Sequence, residues 1–340
     1  MAIIFYLNLS FEDEILINKH PDSPQVDKTL LDDVNEDDTQ QFGVPVEGLA
    51  TLIGKDLDFL KNMLGNPDRI DPSEFGYEWW IYKRSLSEYI QVGVDNDKIV
   101  TLYCIGPNVK VSPFVIGQPV EEIYSSIPIE PHVNLEYAGS SYRFELTEDD
   151  MNSRPLVPVG DFYAQVYIDQ FAGTLSSIRY LNKEALLKLQ PYELVYLGEL
   201  LEVSPTEVGG EKEISEGSSK QIFDISNIMR VRHGLSPLEW DEKVSQVALA
   251  HSIDMFKSED FSHISKEYGE LKDRLEAGEV LYQVAGENIA ANYTDAPAVM
   301  EGWLNSKSHR ETLLNGEYTH IGVGVYKRHY TQNFIQMWEE

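Results

Sequence analysis

Apolar positions recur along this chain at two periods, and the way those periods are mixed changes near residue 218. Before that point helical and strand-like spacings share one region. "LIGKDLDFLKNMLG" carries Leu57, Leu60 and Leu64, and "VIGQPVEEIYSSIP" carries Val120, Ile123 and Ile127, each set at helical spacing after an Ile-Gly pair. Alternating runs rich in Tyr, Trp, Val and Ile follow both. They are "YEWWIYKR", "EYIQVGVD" and "KIVTLYCIG" after the first, and "SYRFELTED", "DFYAQVYID" and "TLSSIRYL" after the second. Period-two alternation broken by Asp-Asn-Asp and Ala-Gly predicts antiparallel strands. The pattern is a helix-plus-meander unit used twice, an α+β domain with an internal repeat over residues 44–200. A helical pattern around "NKEALLKLQPYELVYLGEL" closes it.

Residues 201–217 read as a linker, being rich in Glu, Ser and Gly with almost nothing to bury. From Ser218 amphipathic helices take over. "SSKQIFDISNIMRVRHG" starts with serines able to cap and ends at Gly234, a suitable residue just past a helix. The next helix places Val244, Val247, Ala248, His251 and Met255 on one face. "DAPAVMEGWLNS" and "SHRETLLN" read as further helices, and "THIGVGVYKR" and "TQNFIQMW" as strands.

Charge narrows the partners. The 27 Lys and Arg stand against 57 Asp and Glu, a formal net charge of −30, so phosphate-rich surfaces are repelled and nucleic acid is not an expected partner. The single cysteine, Cys104, permits no disulfide within the chain and no CxxC metal site, and its apolar surroundings predict a buried strand residue. The apolar run from Ala2 to Leu9 is too short to span a bilayer. With the acidic stretch after it, it reads as the remaining end of a signal or anchor segment, rather than a first strand, leading into a tether over residues 1–43. Any membrane attachment is expected only through that end.

The repeat domain offers no cluster of His, Cys or paired acids at ligand spacing. His132 stands alone, Trp79–Trp80 suit a core or an interface, and the expected role is binding or spacing. The C-terminal region is different. The stretches "GLSPLEWD", "HSIDM", "FSH", "AGENIA", "GWLNSKSHRETLLN", "YTHIGVGV" and "TQNF", in that order over about residues 219–338, resemble the CAP superfamily. This is the family of cysteine-rich secretory (SCP-like), antigen 5 and plant pathogenesis-related 1 proteins, here in a cysteine-free bacterial form. Residues 44–200 are similar to the domain that accompanies CAP domains in Firmicutes.

The resemblance implies an α-β-α sandwich over residues 218–340, an extracellular or cell-surface location, and a cleft of two histidines and two acids that holds a divalent metal in some members. Carried over, those residues are His263, Glu287 and His309. The second acid is missing, since Ser306 stands three residues after Trp303; Glu301, two residues before it, is the substitute candidate. His251 on an apolar helix face and His320 at a strand start are further candidates, as is Asn288 beside Glu287.

Two imidazoles and one or two carboxylates suit Zn²⁺ or another divalent ion, with water in an open position. They also suit acid–base work, with Glu287 as candidate general base. A plainer alternative has His309 binding its own loop and Glu287 capping a helix. The leading functional expectation is a binding or interaction module without turnover, its partner a protein, a peptide or cell-wall material. The alternatives are a metal-dependent hydrolase of peptide or cell-wall substrates, and a lipid- or sterol-binding protein.

Overall fold

The computed structural model describes residues 7–8, 16–18, 45–201, 203 and 210–338. The chain forms two compact units, His20–Gly209 and Gly210–Glu340, the second also taking in Met1–Lys19. A first short strand, β1 (Leu7–Asn8), belongs to that second unit.

In the N-terminal unit a 3-10 turn (Leu49–Leu52) precedes α1 (Leu57–Leu64), β2 (Arg69–Pro72), β3 (Glu78–Ser85), β4 (Glu88–Asp95) and β5 (Lys98–Ile105). The second copy of the repeat runs through α2 (Val120–Ser126), β6 (His132–Tyr137), β7 (Ser140–Glu145), α3 (Glu148–Ser153), β8 (Leu156–Val159), β9 (Phe162–Asp169) and β10 (Thr174–Leu181). It is followed by α4 (Lys183–Leu189) and β11 (Glu193–Leu197). Seven strands form one antiparallel sheet in the order β2-β3-β4-β5-β10-β9-β8, so the last strands of the two copies pair at its centre. Leu60 of α1 and Ile123 of α2 are buried in one core with Leu102, Val166 and Ile178.

Two readings of this region are corrected. The strand "SYRFELTED", expected in the second meander, is β7 in a separate sheet ordered β11-β7-β6. A capping box between Thr147 and Asp150 starts α3 directly after β7 and carries the chain away before β8 begins. The closing helical pattern is helical only over Lys183–Leu189. Gln190 turns into the left-handed region, Pro191 cannot continue the helix, and "ELVYL" is strand β11.

Cys104 lies fully buried on β5, and burial raises its thiol pKa well above the ordinary value. Ellman-type titration of the native protein is therefore expected to show almost no reaction, with one thiol appearing in denaturant; rapid labelling of the native form would contradict this burial.

The C-terminal unit contains α5 (Glu211–Arg232), β12 (Glu239–Trp240), α6 (Glu242–Ser258), α7 (Leu271–Ala277), β13 (Val284–Ala291), α8 (Ala296–Asn305), α9 (Lys307–Leu313), β14 (His320–Tyr326) and β15 (His329–Gln336). Its sheet has the order β1-β13-β15-β14-β12. Helices cover both faces, giving the α-β-α layering. On one face Val244 of α6 and Leu271 and Leu275 of α7 pack with Ala285 and Ile335. On the other, Gln332 donates to Ser226 of α5 at 2.8 Å, and the Trp303 indole of α8 donates to the Ile289 carbonyl at 3.2 Å. Helix α5 ends just before Gly234, which takes φ +77°, as its position predicts. It starts earlier than expected. Residues 211–217, read as linker, form its first turns, and there Gly217 is buried.

Helix α6 lies unusually close to β14. A Cβ added to Gly322 would meet the Ser245 nitrogen at 2.1 Å, and one added to Gly324 would meet the Leu249 nitrogen at 2.0 Å. Hydrogen bonds from Ser245 to the Val323 carbonyl and from Ser252 to the Gly324 carbonyl fix this approach.

Parts of the stretch read as anchor remnant and tether pair with this unit. β1 runs parallel to β13, and residues 16–18 continue along the same edge through hydrogen bonds between Asn18 and Ala291 and between Ala291 and Leu16. Covering an edge strand in this way shields its unpaired backbone groups. The remainder of residues 1–44 lies outside the described residues.

Candidate functional site

Alternation along β13 sends Glu287 to the face occupied by α6 and α7, the face of Ala285, and sends Asn288 to the opposite face. Three other side chains meet Glu287. His251 comes from the buried face of α6, with Nε2 at 3.8 Å from Glu287 Oε1. His263 comes from the segment between α6 and α7, and its Nδ1 is 3.0 Å from the same oxygen. Arg274, in the last turn of α7, donates from Nη2 to Glu287 Oε1 at 3.0 Å and to the His263 carbonyl at 3.0 Å. A capping box between Glu270 and Asp273 starts α7, which fixes where Arg274 emerges.

The electrostatics follow from burial. The Glu287 side chain is 4% exposed. Desolvation pushes its carboxyl pKa up, but Arg274 and the two histidines overcome this and hold it far below the usual carboxylate range. Burial pushes His251 down to about 4, against the pull of Glu287, so at neutral pH its ring is uncharged. Arg274 is then the permanent cation facing the carboxylate. Because an ionised carboxylate only accepts, His263 Nδ1 carries the proton it shares with Glu287. The His263 side chain is 29% exposed, so this imidazole is the part of the cluster that meets solvent.

His309 belongs to a second group, centred on Asn288. Its Nδ1 is 2.6 Å from Ser306 Oγ, and its carbonyl accepts from Asn288 Nδ2 at 3.1 Å. Asn288 also donates to Gln332 Oε1 at 3.3 Å. Ser306, the position where the family pattern led us to expect an acid, joins α8 to α9 and orients the His309 ring. Glu301 is buried on α8. His320 begins β14, two strands from β13, with Nδ1 2.8 Å from Thr319 Oγ1 and Nε2 3.6 Å from Glu239 Oε2.

The structure thus brings His263 and His251 to Glu287 as direct neighbours. It also adds Arg274, which motif reasoning missed. The available signal was physical: a carboxylate expected in a cleft needs a cation or several donors, and "LKDRLEAG" places an arginine on a helix whose Leu271 and Leu275 face inward.

The residues do not fit the divalent ion that the resemblance implies. Among the described residues no three His, Cys, Asp or Glu side chains are placed to hold one. The guanidinium sits beside the carboxylate oxygen that a cation would need.

A separate groove of about 600 Å³ opens between α5 and α6 over the far half of β14, with Trp240, Leu249, Ile253, Val323 and Val325 along it and Glu216 and Lys220 at its rim. Among the described residues β12 pairs with His320 and Ile321, so Val323 and Val325 lie on β14 beyond its reach.

Residues 53–192 match the family model described as CAP-associated N-terminal, and residues 223–338 match that of the cysteine-rich secretory protein family. The chain is 51% identical over 301 residues to the uncharacterized membrane protein YlbC of Bacillus subtilis, covering 88% of this chain and 86% of the relative. It is 39% identical over 118 residues to YkwD of the same organism, 34% of this chain and 46% of that protein. Among solved structures, an extracellular protein containing an SCP domain from Bacillus anthracis superposes with a TM-score of 0.81 at 44% identity, over 89% of this chain and 97% of the other. A cysteine-rich secretory protein from Staphylococcus aureus gives 0.78 at 30% identity, over 87% and 97%.

Proposed function

This chain belongs to the cysteine-rich secretory protein (CAP) family and carries the CAP-associated domain ahead of the CAP domain; from that premise we propose that it works at the outer face of the cell as a binding module without turnover. The observation that carries this reading is the state of Glu287. A hydrolase using this cleft needs a carboxylate available to take a proton from water, and here that carboxylate is buried, ion-paired with Arg274 and held ionised far below neutral pH. Ser306, where an acid would supply a second base, instead holds His309.

The partly exposed His263 edge is a polar hook, and the groove along β14 offers mainly apolar surface for a longer ligand. The expected ligand is a peptide or cell-wall fragment. Location at the membrane or outside it is supported by the relatives, one named a membrane protein and another an extracellular one. Among the described residues no helix is long and apolar enough to cross a membrane.

The test is to incubate the full chain with a mixed peptide pool and with purified peptidoglycan. Retention on the insoluble wall, with no soluble fragments released, is expected. Release of fragments that stops in a Glu287→Gln variant would replace this reading with hydrolysis.

A further inference from the structure

We infer that Arg274 stands in for a metal ion in this cleft, so that the site around His263 and Glu287 is closed to divalent cations in this chain and opens to them only when the guanidinium is removed. Two imidazoles and a guanidinium gather around one carboxylate oxygen. Glu287 Oε1 lies 3.0 Å from His263 Nδ1 and 3.8 Å from His251 Nε2. In a tetrahedral zinc shell with bonds of ~2.1 Å, neighbouring ligand atoms stand about 3.4 Å apart; one imidazole nitrogen lies nearer than that and the other farther, and as placed these side chains do not hold an ion. The cation beside the shared oxygen is nevertheless an arginine, with Nη2 at 3.0 Å.

Arginine is the side chain least able to yield this place. It does not deprotonate in proteins, so no change of pH turns it from cation to spectator. Its charge meets an ion in a poorly screened interior, because Arg274 and Glu287 are both buried. It also performs the two structural tasks that a bound ion would perform. It keeps Glu287 ionised, and by donating to the His263 carbonyl it ties the α6–α7 segment to β13.

Buried atoms point to the same conclusion. Arg274 Nε and Nη1, Glu287 Oε2 and both ring nitrogens of His251 are buried and have no hydrogen-bond partner among the described residues. Of these, Glu287 Oε2 and the unprotonated nitrogen of His251 carry lone pairs that a metal ion could take up once the guanidinium is gone.

The inference concerns the cleft and not what the protein binds, so its failure would leave the binding-module reading standing. Isothermal titration of the full chain with Zn²⁺ tests it, alongside His263→Ala to subtract weak binding to the acidic surface. The parent and His263→Ala are expected to give the same weak isotherm. Arg274→Ala is expected to bind one Zn²⁺ at least tenfold more tightly than the parent, with its melting temperature restored by the ion, and adding His263→Ala should abolish both effects. Arg274→Met, which keeps the side-chain stem, repeats the test if the alanine variant folds poorly. One-to-one binding by the parent that disappears in His263→Ala would overturn the inference, and so would folded Arg274 variants that bind no more tightly than the parent. The parent arm decides even if neither variant folds.

Discussion

Gly324→Val is expected to destabilise the C-terminal unit by about 3 kcal/mol or more, at the upper end of what overpacking costs. The reason is the identity of the obstructing atoms. A Cβ at Gly324 would meet the Leu249 nitrogen at 2.0 Å, Leu249 Cα at 2.3 Å and the Ala248 carbonyl carbon at 2.4 Å, all backbone of α6. A flexible side chain could swing aside, but a helix backbone moves only with the whole helix. Shifting α6 would also stretch the hydrogen bonds that Ser245 and Ser252 make to β14 and disturb His251 beside Glu287. Chemical denaturation followed by circular dichroism would measure the loss. Gly316→Ala is the control, since its Cβ would touch only Leu235 Cδ2 at 3.5 Å, and it is expected to be nearly neutral. Equal midpoints for the two variants would show that α6 does not rest on these glycines.

That example marks where the sequence stops speaking. Alternation in "THIGVGVYKR" identifies β14, but nothing in the alternation says that a helix lies against the two glycines. Periodicity registers which face of an element is buried and not what buries it. The same limit explains the second sheet of the N-terminal unit. "SYRFELTED" has the spacing of a strand, yet spacing carries no partner, and the partner is decided by the turn of α3 that follows. Within the site, Glu287 and His263 were legible through short motifs, and His251 through its place on an apolar helix face. Arg274 was not, because its role depends on α7 folding back onto β13, a contact between residues 13 apart with no local signature. Ser306 shows the reverse case. The sequence showed that an acid was absent, and only the fold shows what the hydroxyl does there. The early start of α5 was hidden by composition: Glu, Lys and Ser in "EKEISEGSS" suit an exposed helix as well as a linker.

Lowering the pH from 7 to 4.5 is expected to cost the C-terminal unit on the order of 2 kcal/mol through His251 alone. The sign follows from the direction of its shift. Burial places the folded ring at about 4, below the 6.5 of an exposed histidine, so between those values the unfolded chain binds a proton that the native one refuses. Stability attached to His251 is therefore present above pH 6.5 and drains away as the pH falls towards 4. Glu287 acts lower down. Its carboxyl is depressed from 4.5, so its contribution is complete above that value and is lost progressively as the pH falls below it. The groups facing His251 fix the balance: Glu287 and Asp254 favour its charged form, while Arg274 and His263 oppose it. Unfolding free energies of the parent and of His251→Gln, compared at half-unit steps from pH 7 to pH 4, isolate this one proton from the other histidines. The variant is expected to lose most of the slope between pH 6.5 and 4 while keeping the steeper fall below it. Parallel curves for the two proteins would mean that His251 takes up its proton as readily in the native chain as in the unfolded one, and with it the view of Arg274 as the dominant cation of the cluster would fail.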